Sequence, residues 1–127
     1  MYCCTFLYPR PQRRSFDYDY HREVHMPLGI ALTERFLGIR PKMFWIERID
    51  EGVADSKEPY AAIVHLLFED EDDFKRFGTL NTFPEAARLF ADDYPKYTER
   101  FPEVRLSRWT YDDDMQALIE KHKSRMR

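Results

Sequence analysis

Alternation opens the chain. In residues 2–8 (YCCTFLY), Tyr2, Cys4, Phe6 and Tyr8 fall on one face of a strand and Cys3, Thr5 and Leu7 on the other, and Pro9 and Pro11 stop it in a rigid turn. Both faces are apolar, so a sheet built on this strand needs cover on both sides. From Ser15 the period becomes helical. Ser15 is placed to act as N-cap, Asp17 and Asp19 suit the electropositive first turn, and Phe16, Tyr20 and Val24 recur at helical spacing. Pro27 interrupts this helix, and Leu28, Ala31, Leu32 and Phe36 carry a second helical piece to Gly38. A second strand is predicted over 41–49 and a polar loop over 50–59.

Residues 60–68 (YAAIVHLLF) form a near-continuous apolar run broken only by His65, the signature of a central strand covered on both faces. The acidic stretch 69–73 then starts a helix carrying Phe74 and Phe77 to Gly78. A short helix beginning near Thr82, with Pro84 in its first turn and Glu85 in a capping-box position, buries Ala86, Leu89 and Phe90. Residues 94–102 are a proline-bounded connection, and 103–109 alternate as a fourth strand. From Thr110 a terminal helix is predicted, with Asp112, Asp113 and Asp114 at its start, basic residues at its end, and a narrow stripe of Met115, Leu118, Ile119 and His122 suited to docking on a neighbour.

The order β-α-β-β-α-β plus a terminal helix predicts an α+β, ferredoxin-like fold: a four-stranded antiparallel sheet with its helices on one face. The other face would be bare and apolar. A second copy of the same sheet packed against it, an isologous homodimer, is the simplest cover. The expected division is a domain over 1–110 and a helical extension over 111–127.

Composition narrows the function classes. At 127 residues the chain fits one domain, and 43% hydrophobic with 34% charged residues describes a packed core under a solvated surface. A net charge of −3 argues against nucleic acid as a partner, and Arg10, Arg13 and Arg14 read as a solvated connection. No apolar stretch reaches the ~20 residues that span a bilayer. With a strand-like pattern at the start in place of a charged segment followed by an apolar one, a cytoplasmic location is expected. Cys3 and Cys4 are adjacent and unsuited to an ordinary mutual disulfide, and the lack of a CxxC pair argues against a thiol-based zinc site. Glycine-rich phosphate loops and the GxSxG elbow are also absent from the sequence, which disfavours dinucleotide- and ATP-dependent enzymes.

Candidate chemistry falls on histidines. His21 and His25 are four apart and would share a helix face, yet Glu23 between them departs from HExxH and no third ligand stands at metal-binding spacing, so no metal is expected. His65 is a polar group inside an apolar strand and needs a hydrogen-bond partner or a ligand; it serves equally as a satisfied interface residue or as part of a pocket. Trp45 is placed to flank the same cavity as His65, and Tyr60 opens that strand.

Three pieces of the chain resemble the EthD-like family, named for a protein of ethyl tert-butyl ether degradation, within the dimeric α+β-barrel superfamily. They are the opening strand followed by Phe16, Asp17, Tyr20, His25, Pro27 and Leu28 in the order F-D-x-x-Y-x-x-x-H-x-P-L, then YAAIVHLLFEDEDDF, then PEAARLFADDYPKY with Asp92 and Asp93. The resemblance covers residues 1–110. The family often repeats an aromatic after the position of Tyr20, where this chain has His21. The resemblance implies a homodimer with sheets face to face and a mainly apolar pocket between each sheet and its helices. It points to His25 as the functional residue, supported by Tyr20 and Asp17. Superfamily members include cofactor-free monooxygenases, cyclases, isomerases and haem-binding enzymes. The expected function is therefore a cofactor-independent enzyme, oxidoreductase- or isomerase-like, with His25 as general acid or base on an apolar or aromatic metabolite. His21, His65, Trp45 and Tyr60 are its expected substrate-binding residues. The alternatives are an accessory or ligand-binding protein of an oxidative degradation pathway, and a haem protein with His25 or His65 as axial ligand.

Overall fold

The computed structural model describes residues 1–49, 58–109 and 115–126. The predicted loop residues 50–57 and the aspartates at 112–114 lie outside these. Four strands, β1 (Tyr2–Pro9), β2 (Met43–Arg48), β3 (Tyr60–Phe68) and β4 (Glu103–Arg108), form one sheet in the order β2-β3-β1-β4. Every neighbouring pair is antiparallel. This is the ferredoxin-like arrangement expected from the order of elements. The two doubly apolar strands, β1 and β3, take the centre, where both faces are shielded, and the more polar β2 and β4 take the edges.

Register decides which side chains share a face. Cys4, Phe6 and Tyr8 stand opposite Leu66, Val64 and Ala62, and Cys4 and Phe6 also stand opposite Leu106 and Val104 of β4. This face carries the helices: Phe6 meets Phe77 edge-on at 6.3 Å and Tyr8 meets Phe16 at 5.4 Å. The opposite face carries Cys3, Thr5 and Leu7, opposite Leu67, His65 and Ile63, with Trp45 opposite His65 from β2.

The first helical region begins later than Ser15. Asp17 is the N-cap, its carboxylate accepting the Tyr20 N–H, and a single turn α1 (Tyr18–Tyr20) follows. Residues His21–His25 form a π-helical turn, closed by the Met26 N–H on the His21 carbonyl. Regular helix α2 (Met26–Leu37) then runs to Gly38. Pro27 has no N–H to offer the Glu23 carbonyl, so the regular ladder is interrupted at the place where the wider turn sits. Gly38 adopts φ 65°, a left-handed cap that returns its N–H to the Glu34 carbonyl at 2.9 Å.

The second crossover contains α3 (Glu71–Phe77), capped by Asp70, and α4 (Pro84–Asp93), which begins at its proline. A 3₁₀ turn, Tyr94–Lys96, continues from α4 and ends at Tyr97, which is 1% exposed. Leu32, Leu37, Leu66, Phe68, Leu80 and Ala86 form the core between sheet and helices. The terminal helix α5 (Met115–Arg125) buries none of its described side chains, and Leu118 and Ile119 remain exposed.

Candidate functional site

A cavity of about 500 Å³ lies between the helix-bearing face of the sheet and α2, α3 and α4. Cys4, Phe6, Tyr8, Val64 and Leu66 form its floor, and Met26, Ile30, Phe74, Phe77 and Phe90 form its walls. Val104 and Leu106 of the edge strand line it while remaining more than half exposed, so the cavity is reached over β4. Its size and apolar lining suit a small, largely hydrophobic molecule. His25 supplies an imidazole to this wall.

His25 and Asp93 are each more than nine-tenths buried and meet at 2.8 Å, Nδ1 to Oδ2. The Tyr20 hydroxyl donates to the other carboxylate oxygen of Asp93. The Asp93 carboxylate thus has a partner on each oxygen, as a buried charge requires. Burial holds His25 below the ordinary imidazole range, against the pull of the Asp93 hydrogen bond and charge. A neutral ring whose Nδ1–H donates a hydrogen bond to Asp93 keeps a lone pair on Nε2, and that atom has no protein partner among the described residues. A carboxylate holding one imidazole nitrogen so that the other acts as a base is the arrangement that fixes both tautomer and ring orientation in acid–base sites. The bond to Asp93 also pushes Tyr20 up to about 12, so this phenol stays protonated as the donor.

His21 lies behind this pair. Its ring stacks on His25 at 5.6 Å and 18° and is enclosed by Tyr8, Phe16 and Tyr97 at 4.9, 5.4 and 5.1 Å. The π turn directs both imidazoles inward. His21 Nε2 is buried without a hydrogen-bond partner among the described residues. Burial, with His25 beside it, brings the His21 pKa down to about 3. His21 is therefore a neutral packing partner of His25 and lies outside the cavity lining.

The remaining expected site residues go elsewhere. Asp17 caps α1, and its own N–H bonds the Tyr97 carbonyl at 3.0 Å, so it anchors the helix start to the turn after α4. His65 and Trp45 are together, as expected, with rings stacked at 4.7 Å, but on the sheet face opposite His25, because His65 is in register with Thr5, and Trp45 with His65. There His65 Nδ1 lies 3.2 Å from the Thr5 hydroxyl, Nε2 meets Glu47, and Trp109 packs edge-on. Tyr60 bonds Glu103 at 2.6 Å and is likewise outside the cavity. Asp93, Tyr94 and Tyr97 are the site residues that sequence reasoning did not single out for a role. The only sequence signal was the resemblance at Asp92 and Asp93, which does not say which carboxylate turns inward.

Among the described residues no three His, Cys, Asp or Glu side chains gather at metal-binding distance. Of the two histidines expected as axial ligands, His25 lines the cavity, and both nitrogens of His65 are engaged on the other face.

No protein-family model and no curated protein matches this sequence. Solved structures do. An EthD-like protein from Ralstonia eutropha JMP134 superposes with a TM-score of 0.64 at 20% identity, covering 89% of this chain and 96% of its own. An ethyl tert-butyl ether degradation (EthD) family protein from Bacillus halodurans C-125 gives 0.55 at 16% identity, covering 87% and 99%. The fold is that of EthD-like proteins. The shared fold spans nearly the whole of both neighbours.

Proposed function

We propose that the protein is a member of the EthD-like family and a homodimeric, cofactor-independent enzyme of the oxidoreductase or isomerase type. Its substrate is a small apolar or aromatic metabolite bound between sheet and helices. The observation that carries this reading is the buried His25–Asp93 pair at the wall of an otherwise apolar cavity, with Nε2 unpaired. Neutral His25 takes a proton from the bound molecule through Nε2. Asp93, steadied by Tyr20, stabilises the imidazolium that results, and His25 later returns the proton. Returned to a different atom, the proton completes an isomerisation; with dioxygen as co-reactant, the carbanion formed by proton removal is oxidised. Asp17 and His21 support the site by anchoring α1 and by packing against His25.

The open sheet face supports the homodimer. Met43 and Trp109 are exposed there beside the Trp45–His65 stack, an apolar and aromatic centre of the kind that dominates subunit interfaces. We assign Trp45, His65 and Tyr60 to that face instead of to the ligand. Two buried free thiols, Cys3 and Cys4, fit a reducing cytoplasm.

The test is wash-in of solvent deuterium into a panel of planar, enolisable aryl ketones, followed by NMR. His25→Ala should slow exchange by about 10²–10⁴-fold. Exchange that is unchanged in this variant refutes the assignment of His25. Ligand binding without exchange by the wild-type protein would instead make it the accessory, ligand-binding protein. Sedimentation at twice 15.4 kDa checks the dimer.

A further inference from the structure

Four tyrosines gather at the end of the cavity that holds His25, and three of them are hydrogen-bonded at the hydroxyl, Tyr20 and Tyr97 as donors and Tyr8 as an acceptor. Tyr20 donates to Asp93, and Tyr97 donates to Tyr8 at 3.1 Å. Tyr94 differs. Its ring lines the cavity and lies 5.1 Å from the His25 ring, but its hydroxyl has no hydrogen-bond partner among the described residues. Its place follows from the chain: Tyr94 comes directly after Asp93, so the turn that puts a carboxylate behind His25 also puts a phenol beside it.

We propose that Tyr94 is a catalytic residue of this site, its O–H the donor to a substrate oxygen that gains negative charge as His25 takes a proton. The substrate class is then planar, apolar molecules carrying a carbonyl next to an acidic C–H. This rests on the acid–base reading of His25 given above.

In the step, the substrate C–H bond breaks and an N–H bond forms at His25 Nε2. The C–H electron pair becomes the new C=C bond, and the carbonyl π pair moves onto oxygen. Tyr94 keeps its proton and donates a hydrogen bond to that oxygen. Burial, reinforced by the charge of Asp93, raises Tyr94 to about 12, so it is a donor throughout the neutral range. The walls around it are apolar, where an oriented donor acts on charge more strongly than in water. Tyr94 is chosen over the other donors of the lining, Tyr8 and Asn81, because its ring packs against His25. Lys75, the cation at the rim, is exposed and held by Glu71 at 3.4 Å, and the Thr33 hydroxyl donates to the Gly29 carbonyl.

Pentafluorophenolate, a planar oxyanion, and pentafluorobenzene, the same ring without the oxygen, separate the proposal from the reading beneath it. Binding of each is followed by ¹⁹F NMR to wild type and to Tyr94→Phe, which keeps the ring that packs on His25. The expected result is a loss of about 10–100-fold in phenolate affinity, the range for a hydrogen bond to a charged group, with pentafluorobenzene affinity unchanged within about twofold. Phenolate affinity that survives the substitution, or falls no more than that of pentafluorobenzene, overturns the role of Tyr94 and leaves the cavity and His25 standing. Binding of neither compound to the wild-type protein overturns both. As a second readout, Tyr94→Phe should slow deuterium exchange into the ketones by about 10²–10³-fold with the pH profile of His25 retained.

Discussion

Acid should destabilise this protein through His21, and the size of the effect follows from its surroundings. The ring is 1% exposed, packed among Tyr8, Phe16, Tyr97 and His25, with Nε2 unpartnered. The folded protein therefore resists protonating it, with a pKa of about 3 against the ordinary 6.5. The unfolded chain binds that proton more readily, so the stability associated with His21 is complete above pH 6.5 and is lost as pH falls from 6.5 toward 3. At 1.36 kcal/mol per pH unit, lowering pH from 7 to 5 costs about 2 kcal/mol through this one ring. His21→Phe removes the titrating group and keeps an aromatic ring in place. Urea unfolding of wild type and His21→Phe at pH 7 and pH 5, at fixed ionic strength and protein concentration, isolates the term. Wild type should lose about 2 kcal/mol more than the variant, since carboxylates and His25 contribute to both. Equal losses, within about 0.5 kcal/mol, would refute the argument that burial without a partner governs His21.

Three other outcomes follow from the same structure. Asp93→Asn preserves shape but presents an amide N–H to His25 Nδ1, which drives the imidazole proton onto Nε2 and removes the base; deuterium exchange should fall about 10²–10⁴-fold while the fold survives by circular dichroism. Gly38→Ala should cost about 1 kcal/mol in urea unfolding, because φ 65° disfavours a Cβ although nothing within 4 Å would clash with one. Cys4, raised to about 12 by burial and by Cys3 beside it, should resist iodoacetamide at pH 8 in the folded protein and react once unfolded in urea, as read by mass spectrometry.

Much of the scaffold was legible because its signals are periodic and local. Alternation in residues 2–8, the apolar run 60–68 and the prolines and Gly38 at element ends mark strands, helices and stops without reference to anything distant. The start of the first helix was less so. Ser15 and Asp17 are both good N-caps, and the choice of Asp17 depends on the Asp17 N–H bonding the Tyr97 carbonyl, 80 residues away in sequence. The π turn was also hidden, since two histidines four apart read as one face of an ordinary helix.

The sequence by itself determined the class of fold, the apolar character of both faces of β1 and β3 and the presence of an imidazole at position 25, because hydrophobic period and residue chemistry are carried by short stretches of chain. Tertiary structure alone decided which groups work together. Asp93 joins His25 across 68 residues, Tyr94 follows it into the cavity wall, and the pairing of His65 with Thr5 instead of a neighbour sends His65 and Trp45 to the far face. A strand register moves every side chain between two faces with a shift of one residue, and a buried carboxylate is chosen by packing over a distance that no local pattern records.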